Sequence, residues 1–125
     1  MRNSLFALAS VFAIAMQLAC TDERARASSA VTGGDYHRGQ TAISRYGCGT
    51  CHTVKGIANA RGLVGPPLTG LRNRMFVAGM LTNNPENLEH WIQKPKSVNP
   101  HTAMPELGVT GGDAADIAAY LYTLN

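Results

Sequence analysis

Cysteine, aromatics and charge are all scarce in this chain of 125 residues, which has three cysteines, one tryptophan, 6% aromatic and 15% charged residues. Cys20 lies in the N-terminal segment, so only Cys48 and Cys51 remain in the body, and His37, His90 and His101 are scattered. That excludes a structural zinc site, which needs four ligands, commonly two C-x-x-C pairs or one pair with a distant pair of histidines. No segment alternates apolar and polar residues at period 2 for any length, which removes support for a sheet. No basic run occurs and the basic residues are dispersed, at a formal charge of +3, which excludes nucleic acid as a partner. The length allows one domain and little else.

What is present begins with Cys48-Gly49-Thr50-Cys51-His52. This is C-x-x-C-H, the attachment signature of a c-type haem. Two thiols add across the two vinyl groups of one porphyrin, so Cys48 and Cys51 are the covalent attachment points. The next residue, His52, turns under the ring and offers an imidazole nitrogen to the iron. A thiol oxidoreductase also uses C-x-x-C, but there the motif follows a strand and opens a helix. No apolar, β-branched run precedes Cys48, and that reading stays as the enzymatic alternative. A bound haem also answers the composition. With 45% hydrophobic residues but 13 glycines and few aromatics, the core is lean, and a large apolar plate gives short helices something to pack on.

Residues 1–27 read as an export signal: Arg2 supplies the positive end and Leu5 to Ala15 is apolar apart from Ser10. The apolar run is too short for a permanent membrane span. Two endings stay open. Leu18-Ala19-Cys20 resembles a lipoprotein processing box, in which Cys20 becomes an acylated first residue and a membrane anchor. Ala25-Arg26-Ala27 offers an ordinary A-x-A site. Removing residues 1–27 takes away three basic and two acidic residues and leaves +2. Residues 28–33 read as a flexible linker within a polar arm, and the domain as 34–125.

Within that domain, Cys48 to His52, Gly65-Pro66-Pro67-Leu68-Thr69-Gly70, Met104-Pro105 and a terminal helix ending Ala119-Tyr120-Leu121 resemble a class I cytochrome c. The run Asn84 to Ile92 ahead of Met104-Pro105 is similar to the cytochrome c domain fused to subunit II of bacterial haem-copper oxidases. The resemblance implies an all-α fold, with short helices and loops wrapped around one covalently bound haem. It implies that the first and last helices cross at Gly39, and that the Pro66 carbonyl accepts the second ring N–H of His52. It favours Arg74, among Arg72, Asn73 and Arg74, as a donor to a haem propionate.

The remaining elements follow from local signals. A first helix over Asp35 to Tyr46 places Gly39, Ile43 and Tyr46 on one face. Lys55 to Val64 is a loop, Leu68 to Met75 a short helix, and Phe76 to Leu81 an apolar lining or rim of the haem cavity. Asn84-Pro85-Glu86 starts a helix that stops at Pro95. Its apolar face is Leu88, Trp91 and Ile92, with Glu89 and Gln93 towards water. Trp91 is expected against the haem. Lys96 to Leu107 is a loop, Thr110 to Asp113 a capping box, and Gly112 to Leu124 a helix with Ile117, Tyr120, Leu121 and Leu124 in one stripe. For the sixth iron ligand, Met75 and Met80 are explained by packing. Met104 lies in a loop between Pro100 and Pro105, in the Met-Pro context the family uses, with His101 as competitor.

Together these expectations describe an exported, monomeric, single-haem electron carrier on the periplasmic side of a bacterial membrane, not an enzyme. It would pass one electron at a time within a respiratory chain towards a haem-copper oxidase, with a membrane respiratory complex as redox partner. An integral haem subunit of such a complex is the alternative. Lys55, Arg61, Lys94 and Lys96 are the candidates to ring the haem edge and steer an acidic partner.

Overall fold

Asp35 accepts a hydrogen bond from the Arg38 backbone N–H and so caps a helix over Tyr36–Arg45. Asn84 does the same for Asn87 at the start of Pro85–Gln93, where Pro85 sits in the first turn. Thr110 accepts from Asp113 N–H at the start of Gly111–Leu121. In a computed structural model, which describes residues 23–125, these are α2, α3 and α5. A four-residue helix α4, Pro95–Val98, follows α3 directly, in what the sequence reads as loop. Helix α1 is described over residues 23–32.

The axis of the fold is the crossing of α2 and α5. A Cβ on Gly39 would lie 1.9 Å from the Asp116 carbonyl oxygen, so the two backbones touch where a side chain would stand. Ile43 on α2 and Ile117 on α5 are buried beside this crossing, as are Tyr120, Leu121 and Leu124 of the terminal stripe. Asp116 locks the crossing from its polar side. Its carboxylate accepts from Asp35 N at 2.6 Å and from Arg38 Nε and Nη2 at 2.7 and 2.9 Å. That donor set, the Arg38 guanidinium first, holds the Asp116 carboxyl below the usual carboxylate range.

Helix α1 corrects the reading of residues 28–33 as a flexible linker. Ala25, Ser28, Ser29 and Thr32 share one face and are buried or half-buried. Ser28 is fully buried and donates to the Ala119 carbonyl at 2.6 Å. Gly34 then passes so close to α5 that a Cβ there would lie 2.1 Å from the Ala115 carbonyl. Small residues let two backbones approach, and hydroxyls satisfied by backbone carbonyls can be buried at little cost. A segment without large apolar residues can therefore dock. Residues 1–22, with the export signal's apolar run and Cys20, lie outside the described residues, whereas Glu23 to Ala27 of that expected signal belong to α1.

Between α2 and α3 the chain is mostly loop, with two single turns of 3-10 helix, Cys48–Thr50 and Leu71–Asn73. The second replaces the short helix expected over Leu68 to Met75: Gly70 at φ +72° opens the turn and Arg74 is already extended. The chain then forms a small hairpin rather than a plain apolar lining. Phe76–Val77 (β1) pairs antiparallel with Leu81–Thr82 (β2), Phe76 opposite Thr82 and Val77 opposite Leu81. Ala78 and Gly79, both at positive φ, make the turn. The hairpin turns Met75 and Met80 outwards at 78% and 57% exposure, so the packing expected for them is not found. Glu89 and Gln93, expected towards water, are half-buried.

Candidate functional site

Ile117 and Leu121 lie about half a helical turn round α5 from Ala115 and Ala119. The first pair lines a cavity and the second pair meets the α1 segment, so α1 covers the back of the helix whose front faces the cavity. The cavity has a volume of about 490 Å³, within the range of a site for a substantial prosthetic group. Ile43 from α2, Leu88, Trp91 and Ile92 from α3, and Leu71, Val77 and Val109 from the loops complete its apolar wall. Cys48, Cys51, His52, Pro66, Arg74, Trp91 and Met104 all line it. His101 does not, and neither do Met75 or Met80.

Local backbone geometry builds the histidine wall. Gly47 at φ +70° breaks from α2 into the turn Cys48–Thr50. His52 N then donates back to the Cys48 carbonyl at 3.0 Å, which closes the motif into one tight loop. The His52 Nδ1 atom lies 2.7 Å from the Pro66 carbonyl oxygen. A carbonyl only accepts, so Nδ1 carries a proton, and Nε2 is the ring nitrogen left for another partner. Gly65 lies flat against the ring: a Cβ there would stand 2.3 Å from His52 Cε1. Any side chain at 65 would push the imidazole aside. Gly65 N also donates to the Cys51 carbonyl at 2.8 Å, so the Gly65-Pro66 loop is tied to the motif at two points.

Met104 comes from the loop after α4, half-buried, its backbone N–H held by Thr102 Oγ1 at 3.1 Å. Lys96 Nζ donates to the Thr102 carbonyl at 2.5 Å and steadies the same loop. Arg74 is engaged with backbone: its Nη2 donates to the carbonyls of Pro67 and Thr69, the latter at 3.2 Å. Burial pushes the Cys48 thiol up, which keeps it neutral and poorly nucleophilic. A thiol oxidoreductase needs the opposite shift.

The donors present suit a haem. Two cysteines, an imidazole with one ring nitrogen already fixed and a thioether line the same cavity, and apolar side chains form its walls. Among the described residues no cluster of three or more His, Cys, Asp or Glu side chains could hold a bare metal ion. The basic residues Lys55, Arg61, Lys94 and Lys96 are exposed but do not line the cavity. Lys94 stands 3.8 Å from Glu106. Sequence reasoning missed the contact of Gly65 with the ring, although the Gly-Pro-Pro run signals a special backbone there. It also missed Asn83, which carried no signal at all.

The family model "Cytochrome c" matches residues 36–125. The chain is 35% identical over 89 residues to the cytochrome c oxidase subunit 2 of Alkalihalophilus pseudofirmus (strain ATCC BAA-2126 / JCM 17055 / OF4), an alignment covering 70% of this chain and 25% of that protein. The chain thus spans about a quarter of the length of the curated relative it matches. No solved structure matches it.

Proposed function

The chain belongs to the cytochrome c family, whose members carry electrons on a covalently bound haem c and are not themselves enzymes, and we propose that it is an exported single-haem carrier passing electrons towards a haem-copper oxidase. One observation carries this reading: Cys48, Cys51, His52 and Met104 all line the same apolar cavity. His52 and Met104 would hold the iron, and Cys48 and Cys51 would form the thioether attachments. When bound, the haem supplies a one-electron couple. The chain's own work is to enclose it in a low-dielectric cavity, offer His52 and Met104 as ligands, and orient His52 through Pro66. A thioether ligand favours reduced iron and a high potential, which suits a donor to an oxidase. Trp91 and Arg74 line the cavity, where Trp91 would pack against the porphyrin and Arg74 would offer a cation to a propionate.

Export rests on the leader, and anchoring on Cys20. The A-x-A site, Ala25 to Ala27, falls inside α1, one residue ahead of the buried Ser28. Cleavage there would strip half of the described part of α1, residues 23–32, whereas processing before Cys20 would leave that part whole. This favours the lipoprotein route, with the described part of α1 docked on the back of α5, away from the cavity. No helix among the described residues is long and apolar enough to cross a membrane. The second reading, an integral haem subunit of an oxidase complex, is favoured by the likeness to an oxidase subunit.

The test is the visible spectrum of the purified protein before and after denaturation. A haem band that survives denaturation, from a low-spin native state, is expected. Colourless protein, or haem lost on unfolding, would overturn the reading. Mass spectrometry of the mature N-terminus separates a lipidated Cys20 from a free Ser28.

A further inference from the structure

The His52 imidazole is held by one carbonyl, and that carbonyl belongs to a loop with little regular structure of its own. Pro66 and Pro67 have no N–H to pair. On its far side the loop is held by Arg74, whose Nη2 reaches the carbonyls of Pro67 and Thr69, together with two backbone bonds, Leu68 N–H to the Thr53 carbonyl at 3.0 Å and Gly70 N–H to the Leu124 carbonyl at 2.9 Å. Arg74 in turn sits at the end of a single 3-10 turn, its N–H bonded to the Leu71 carbonyl at 3.1 Å. Such a turn is weak alone. Asn83 secures it. Its Nδ2 donates to the Leu71 carbonyl at 2.7 Å and to the Arg74 carbonyl at 2.9 Å, using both amide protons. Its backbone N–H donates to the Met75 carbonyl at 3.0 Å. Its Oδ1 accepts from the Tyr122 hydroxyl at 2.9 Å, which ties the whole unit to the end of α5.

We propose that Asn83 is a positioning residue for the iron's histidine ligand, acting in series through Arg74 and the Pro66-Pro67 loop on the His52 Nδ1–H bond. This rests on the reading of His52 as an axial ligand. The chain of contacts makes Arg74 a backbone clamp as well as a cation near the porphyrin, and the two roles have opposite signs. A tight Nδ1–H bond to a carbonyl makes the imidazole a stronger base and favours oxidised iron. Loosening the clamp weakens that bond and raises the reduction potential. Losing a cation beside the haem disfavours reduced iron and lowers it.

The experiment is redox titration of the haem-loaded full chain for Asn83→Ala, Arg74→Lys and the double variant. Proton NMR of the reduced protein follows exchange of the His52 Nδ1–H. Asn83→Ala leaves every charge in place and Arg74→Lys keeps the charge but loses the fork. Both are expected to raise the potential and speed the exchange. Because the two residues act in series, the double variant should shift no further than the larger single. An unchanged or lowered potential in Asn83→Ala, with haem and low-spin spectrum intact, overturns the proposal and leaves the electron-carrier reading standing. Additive shifts overturn the series arrangement. If Asn83→Ala does not accumulate, Arg74→Lys decides: a fall in potential or unchanged exchange rejects the clamp. Wild-type protein without haem would reject both readings.

Discussion

Replacing Gly39 by alanine puts one methyl group where two helices touch. In a helix interior that change alone is worth up to about 1 kcal/mol of stability, because glycine is the poorer helix former. Here the new Cβ would lie 1.9 Å from the Asp116 carbonyl oxygen, 2.6 Å from its carbon and 3.0 Å from Tyr120 Cβ. A comfortable carbon-to-oxygen approach is about 3.3 Å, so α2 and α5 must part by roughly 1.4 Å. The obstructing atoms are backbone, and no rotamer change clears them. Parting the helices loosens Ile43 against Ile117 and lengthens the bonds from Asp35 and Arg38 to the Asp116 carboxylate. Overpacking of this kind costs about 1–3 kcal/mol, and a weakened buried hydrogen bond adds about 1 kcal/mol. Set against the propensity gain, the net destabilisation is about 2 kcal/mol. With a urea slope of about 1–2 kcal/mol per M for a domain of this size, the midpoint should fall by roughly 1–2 M at unchanged slope. Gly112→Ala is the control. It lies in the same α5, has nothing within 4 Å of its added Cβ, and should be neutral or stabilised by up to about 1 kcal/mol. Equilibrium unfolding of the haem-loaded protein, followed by far-UV circular dichroism, measures both. A Gly39→Ala protein as stable as the wild type would refute the backbone contact as the reason for glycine there.

Three further outcomes are expected. The Cys48→Ala/Cys51→Ala double variant should lose covalent haem and nearly all folded protein, since the haem fills the cavity on which α2, α3 and α5 converge; haem retained through denaturation would count against the attachment sites. Met104→Ala should abolish the weak near-infrared sulfur-to-iron band of the oxidised protein, while His101→Ala, outside the cavity wall, leaves it; the reverse pattern would reassign the sixth ligand. Asp116→Asn should matter most above the ordinary carboxylate range. The folded-state pKa of Asp116 is depressed, so its stabilisation is complete above about pH 4, the unfolded value, and fades as the pH falls through the folded one. The wild type should therefore lose its advantage over the variant on acidification, read as converging urea midpoints between pH 6 and about pH 2; a constant gap would show that the charge on Asp116 plays no part.

Much of the site could be read from local runs. Cys48 to His52 states its own chemistry because haem attachment needs two thiols and an imidazole within five consecutive positions, and every one of those residues lines the cavity except Gly49. The caps Asn84 and Thr110 were visible for the same reason: a cap is a side chain bonded to a backbone N–H three residues on. Met75 and Met80 show where this fails. Nothing in their neighbourhood distinguishes a packed methionine from one turned outwards by a two-stranded hairpin, and hairpin pairing over two residues leaves no alternation to detect.

The sequence by itself determined the covalent cofactor chemistry and the helix starts. Each follows from covalent geometry or from contacts between residues close in the chain. Tertiary structure alone decided the rest. It placed the small hydroxyl face of α1 on the back of α5, with Ser28 buried against Ala119 across 91 positions. It also made Asn83 a junction between Leu71, Arg74 and Tyr122. A serine or an asparagine has the same local signature in a loop, on a surface or in a junction. Its role is set by which distant carbonyls and hydroxyls the fold brings within about 3 Å of it.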